Sequence, residues 1–199
     1  MRNFLLALSL LVLAFPAHSE PKELGAVTLD RSHRFLMPSE AVGDSFRVDV
    51  LLPIGYSESK ETYPVVYVTD GNYLLASAAG TQLAQATDNL PKMIIVGIGW
   101  DVPTISDTQQ IRARDFSPTC DPEFLKRAEH PKELCGKADR FIEFITGELK
   151  PFIRSRYRAT DDTTLIGYSF GGLFALHALL TGGSVADRYV IGSPSLWWH

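Results

Sequence analysis

The chain has 199 residues, 45% of them hydrophobic and 21% charged, with a formal net charge of −4. That is the make-up of one ordinary globular domain, not of a disordered or fibrous chain. A mildly acidic sequence without a Lys/Arg cluster carries no electrostatic footprint for nucleic acid, so no such partner is expected.

In chain order, the first element is a leader. Arg2 supplies a positive start, Phe4 to Phe15 is apolar apart from Ser9, and Pro16 breaks the run ahead of Ala17-His18-Ser19. This layout predicts a signal peptide over residues 1–19, cleaved after Ser19, and a periplasmic or secreted protein. At ~1.5 Å per residue the run reaches roughly 18 Å, short of the ~30 Å of hydrocarbon that a span requires. No Cys near the cleavage point suggests a lipid anchor, so no membrane association is expected once the leader is removed.

Ser45 to Leu52 alternates, with Phe46, Val48, Val50 and Leu52 on one face, and predicts an antiparallel strand near a sheet edge. Val65–Val68, Met93–Ile98 and Thr164–Ile166 are mostly apolar and rich in β-branched residues, as are strands buried on both faces of a parallel sheet. Tyr189-Val190-Ile191 reads as a fourth of this kind. Helical patterns lie between them: Tyr73 to Gln85, and a stripe of Phe141, Ile145, Leu149 and Phe152 with a cap near Asp139 and a bend expected at Gly147 and Pro151. Leu173 to Leu180 reads as a short buried helix. The alternation argues for an α/β fold with a mostly parallel sheet flanked by helices. Residues 101–137 show no period, are punctuated by Pro103, Pro118, Pro122 and Pro131, and read as a long functional or insertion loop. Cys120 and Cys135 lie in that loop. In an exported protein the oxidising compartment makes a disulfide between them the expectation, with two free thiols as the alternative; metal binding fits worse, since His130 is the only imidazole between them and the spacing matches no zinc pattern.

Gly167-Tyr168-Ser169-Phe170-Gly171 is a G-x-S-x-G motif between a buried strand and a helix, the setting of a nucleophile elbow. Ser169 is therefore the candidate nucleophile. The N–H of Phe170, at the helix N-terminus, is a candidate oxyanion donor. The amides of Gly71 or Asn72, after the Val65–Thr69 strand, are candidates for the second donor, with a plain turn at Asp70-Gly71 as the alternative. Arg112 and Arg114 are candidate substrate ligands through paired donors, or else solvated or bridged to Asp115. Trp197 and Trp198 can line an aromatic pocket or pack in the core.

Tyr67-Val68-Thr69-Asp70-Gly71-Asn72, Arg112 to Pro118, Gly167 to Gly172 and Ser193 to Trp198 together resemble the putative-esterase family of α/β hydrolases. Within it they resemble the periplasmic branch of siderophore esterases related to salmochelin and enterobactin trilactone hydrolases. The resemblance implies that residues 20–199 are the N-terminal portion of a single α/β-hydrolase domain that hydrolyses a small-molecule carboxylic ester through an acyl-serine, without metal or organic cofactor. In this fold the acid and then the His follow the serine in chain order. After Ser169 the sequence offers Asp187, His177 and His199, none well placed: His177 lies along the helix, Asp187 precedes its strand, and His199 ends the sequence. His33 and His130 come before the serine. The resemblance therefore implies a further stretch beyond residue 199 holding the last strands, the acid and the base. Two alternatives stand beside it: a non-catalytic ligand-binding protein that keeps the pocket, and an acyltransferase on the same scaffold.

Overall fold

The computed structural model describes residues 23, 25–26, 28–85, 90–102, 105–121, 123, 126, 135–182 and 184–198. The expected leader, His130, His199 and the prolines at 103, 122 and 131 lie outside them. Six strands form one sheet: β1 Ser32–Ser39, β2 Asp44–Leu51, β3 Tyr63–Val68, β4 Ile94–Gly99, β5 Ala159–Tyr168 and β6 Arg188–Gly192, in the order β1-β2-β4-β3-β5-β6. The β1/β2 and β2/β4 pairs are antiparallel; β3/β4, β3/β5 and β5/β6 are parallel. The expected α/β architecture is observed, with a mostly parallel sheet.

The apolar runs take the central places because both of their faces are covered. Every residue of β4 is buried. One face packs on α1 (Gly71–Gln85) through Leu51, Val68, Leu75 and Ile95. The other carries the main core, in which Phe46, Val96, Ile98 and Leu165 meet Phe116, Phe141, Phe144 and Phe174 from α2 (Ile105–Phe116), the helices after residue 137, and α5 (Phe170–Leu180). Among the described residues no helix is long and apolar enough to cross a membrane.

Three expectations are corrected. Residues 101–137 are not all loop, because α2 lies within them. Its inward side includes Thr108 and Asp115, so hydrophobic periodicity could not reveal it. Asp115 is buried because Trp100 Nε1 donates to it at 2.8 Å and Arg114 grips it from the other side. Next, β6 is an edge strand, not one buried on both faces, and Val190 is 53% exposed. β2 is antiparallel and near the opposite edge as expected, with the unanticipated β1 outside it. Finally, Asp139 is not a cap: α3 (Ala138–Glu143) begins before it.

The bend expected near Gly147 and Pro151 takes a definite form. A π-helical turn, Phe144–Leu149, joins α3 to α4 (Lys150–Arg156), and Lys150 N–H donates to Ile145 O, five residues back. Pro151 has no N–H to continue the α-helical ladder, and the wider turn accommodates that loss while keeping Phe141, Phe144, Ile145, Leu149 and Ile153 all inward.

Candidate active site

Ser169 joins β5 to α5 with φ 58° and ψ −115°. A non-glycine residue in that region is strained by about 1–3 kcal/mol, and here the surroundings enforce it. Ser169 N–H donates to Gly192 O at 3.0 Å, while Ser169 O accepts from Leu173 N–H at 2.9 Å and Ser195 N–H at 3.1 Å. The flanking glycines leave no room for side chains. A Cβ on Gly167 would stand 2.0 Å from Gly171 O, and one on Gly171 would stand 2.2 Å from Thr69 Oγ1. The turn is therefore sharp, and its hydroxyl stands at the end of the sheet where β3, β5 and β6 all finish.

Leu173 makes the first intrahelical bond of α5, so the amides of Phe170, Gly171 and Gly172 precede it as unclaimed helix N-terminal donors. Beside them lies the turn after β3. Thr69 N–H donates to Ile166 O at 3.0 Å, tying that turn to β5. Asp70 has φ 56°, and its carbonyl accepts from Tyr73 and Leu74 N–H, so the amides of Gly71 and Asn72 sit ahead of the first bonds of α1. Gly71 packs on β4 so closely that a Cβ there would be 2.6 Å from Gly97 C. The Asn72 side chain is committed elsewhere, accepting from Trp100 N–H and donating to Trp100 O, both at 2.8 Å. The Asp70 turn thus abuts the first turn of α5.

The two arginines separate. Arg112 Nε and Nη2 donate to Asp70 Oδ1 and Oδ2 at 2.6 and 3.1 Å, and its guanidinium carbon lies 5.8 Å from the Phe170 ring centroid. Arg114 takes the salt-bridge alternative, donating to Asp115 at 2.7 and 2.9 Å and to Asp44 at 2.6 Å, and it does not line the groove beside Ser169. Burial pushes the Asp70 carboxyl above its ordinary value, although Arg112 opposes the shift. That groove, about 320 Å³, is lined by Asp70, Tyr73, Leu74, Gln109, Arg112 and Tyr168.

The tryptophans also divide. Trp198 is core, its Nε1 donating to Thr119 O at 2.7 Å. Trp197 is 63% exposed and meets the Phe170 ring edge-on at 5.6 Å. Cys120 and Cys135 are bonded, with Cα atoms 5.2 Å apart, and pack with Leu173, Trp198 and Phe170 behind the elbow.

Sequence reasoning passed over Ser195, although it lies in the Ser193–Trp198 block. It is buried, and its Oγ is 3.3 Å from Ser169 Oγ. The groove residues Tyr73, Gln109 and Tyr168 were likewise not singled out; only Tyr168, inside the G-x-S-x-G motif, carried a signal. The two described histidines are engaged away from the serine. His177 Nε2 meets Asp139 Oδ1 at 2.7 Å, and His33 lies on β1 against Tyr157. Asp187 accepts from Thr163 N–H and Oγ1 at 2.8 and 3.0 Å, just before β6 begins and partway along β5 from Ser169. Among the described residues no group of three or more His, Cys, Asp or Glu side chains is placed to hold a metal.

Residues 39–199 match the profile of a family described as "Putative esterase". The siderophore enterobactin esterase of Emericella nidulans is 35% identical over 77% of this chain and 54% of its own length. The siderophore triacetylfusarinine C esterase of Aspergillus fumigatus is 32% identical over 87% and 59%. Among solved structures, the siderophore hydrolase EstA of Aspergillus nidulans superposes with a TM-score of 0.74 at 30% identity, over 92% of this chain and 63% of that one. The chain thus spans little more than half the length of these curated relatives.

Proposed function

The chain belongs to the putative-esterase family, and on that premise we propose that it carries the nucleophile half of a serine ester hydrolase working through an acyl-serine at Ser169. The observation that carries this reading is the enforced backbone of Ser169, with unclaimed helix N-terminal amides beside it. In the reaction, Ser169 Oγ attacks the ester carbonyl carbon and its proton passes to a general base. The carbonyl oxygen becomes an oxyanion facing Phe170 N–H and an amide of the Gly71-Asn72 turn. The intermediate collapses, the ester C–O bond breaks and the alcohol leaves with a proton returned by the base. Water then repeats the attack on the acyl-serine and releases the acid. Neither described imidazole, His33 or His177, is placed to serve as that base.

The substrate class is a siderophore-type or related aryl-bearing ester. The names of the relatives support it, as does a groove lined by Tyr73 and Tyr168. Export with cleavage after Ser19 completes the proposal. The leader's layout supports it, and so does the Cys120–Cys135 bond, which suits an oxidising compartment.

The test is covalent. The full-length protein is treated with a fluorophosphonate, and the labelled peptide is identified by mass spectrometry. Labelling at Ser169 that is lost with esterase activity in Ser169→Ala supports the reading. Full esterase activity in Ser169→Ala refutes it. Tight binding of a ferric siderophore without turnover or labelling would favour the ligand-binding alternative.

A further inference from the structure

We infer that Arg112 is a positioning residue that aligns the two halves of the oxyanion hole and offsets the Asp70 carboxylate beside it. The inference rests on the acyl-serine reading above and adds a role to a residue that the sequence marks as a substrate ligand.

Arg112 projects from α2, an element that contributes neither nucleophile nor oxyanion amide. Its planar fork meets both oxygens of Asp70, and Nη1 donates to Gln109 Oε1 at 3.0 Å. Both partners of the ion pair are largely buried, with side-chain exposures of 12% and 5%. On its other side the same guanidinium lies over the Phe170 ring. One side chain therefore touches the residue before Gly71 and the residue after Ser169, the two places from which oxyanion donors are proposed.

The need for such a clamp is visible in the backbone. Asp70 holds a left-handed φ that its side chain disfavours, and the direction of the Gly71 and Asn72 amides follows from that φ. Asp70 Oδ2 also lies 3.1 Å from the place a Cβ on Gly171 would take, against the first turn of α5. An unpaired carboxylate there would repel an oxyanion forming at the Phe170 amide. Paired with Arg112, its charge is offset. A lysine could supply the charge but not the bidentate grip.

A substrate ligand and a positioning residue give different kinetics. Loss of an anion ligand raises KM for anionic substrates and spares a small neutral ester. Loss of alignment lowers kcat on the neutral ester with little change in KM, and weakens a tetrahedral adduct in parallel. A misplacement near 1 Å costs on the order of 10²-fold in rate.

The experiment uses the full-length protein with p-nitrophenyl butyrate as the neutral ester and phenylboronic acid as the tetrahedral-adduct probe. Arg112→Met is expected to lose about 10²-fold in kcat, with KM within about twofold and a parallel loss of boronate affinity. Arg112→Lys should fall between it and wild type. The double variant Asp70→Asn/Arg112→Met should recover part of the loss, about tenfold, because it removes the unpaired carboxylate. If Arg112→Met fails to fold, Arg112→Lys carries the same comparison. A variant set with wild-type kcat on the neutral ester, or single losses that multiply in the double variant, overturns the inference alone. A wild-type protein that neither cleaves the ester nor binds the boronate overturns the acyl-serine reading and this inference with it.

Discussion

Gly171→Ala tests how tightly the elbow is seated against the neighbouring strand. A Cβ at this position would be 2.2 Å from Thr69 Oγ1 and 3.1 Å from both Thr69 Cβ and Asp70 Oδ2. Thr69 is fully buried and its N–H is tied to Ile166 O, so it cannot retreat freely. Restoring ordinary contact requires about 1 Å of separation between α5 and the Asp70 turn. Overpacking of this kind costs about 1–3 kcal/mol. Alanine in a helix is better than glycine by roughly 0.5–1 kcal/mol, which offsets part of that cost. The net destabilisation is therefore about 0–2.5 kcal/mol, and at 2–4 °C per kcal/mol for a domain of this size Tm should fall by less than about 10 °C. Activity should suffer far more, because a shift near 1 Å between nucleophile and oxyanion donors costs on the order of 10²-fold. The assay pairs Tm by scanning calorimetry with the rate of fluorophosphonate labelling at Ser169, both on the full-length protein. Adding Thr69→Ala removes the nearest obstructing atom and should restore part of the labelling rate. Wild-type labelling in Gly171→Ala would refute the reasoning, whatever happens to Tm.

Three further predictions concern stability. Phe174→Ala removes a fully buried ring packed at 4.8 Å on Phe141 and 5.8 Å on Phe116, and should cost about 3–5 kcal/mol in urea unfolding. Replacing both Cys120 and Cys135 by Ser opens a loop with a sequence separation of 15 and should cost about 3 kcal/mol in the same assay. The third is a pH effect. Hydrogen bonds from the Thr163 N–H and hydroxyl hold the Asp187 carboxyl below its ordinary value. A folded value below the unfolded one gives stability that is present above the unfolded carboxylate range and lost as pH falls through the folded value. The urea midpoints of wild type and Asp187→Asn should therefore differ at neutral pH and converge in acid; a difference constant with pH would contradict the assignment.

The sequence was most legible where chemistry and burial agreed. The β-branched runs of β3, β4 and β5 read as covered strands, and G-x-S-x-G directly after one of them read as an elbow, although the similar run of β6 proved an exposed edge. It was least legible where polar groups do the work of apolar ones. α2 buries Asp115 and Thr108, so its inward face does not read as a stripe, and the long-range partner that fixes Arg114, Asp44, lies on β2. β1 escaped because an edge strand half open to solvent, with Pro38 near its end, needs no clean alternation. The pairing of Arg112 with Asp70 joins residues 42 apart in the chain, and no local pattern encodes it.

The neighbouring places of β3 and β5 in the sheet have a kinetic consequence. The Thr69 and Ile166 groups that bring the Asp70 turn beside the elbow are 97 residues apart, whereas the cysteines behind it are 15 apart. Closing the longer loop carries the larger entropic cost and makes this pairing one of high contact order. In refolding with the disulfide intact, the docking of the Asp70 turn beside the elbow is therefore expected to be a late step.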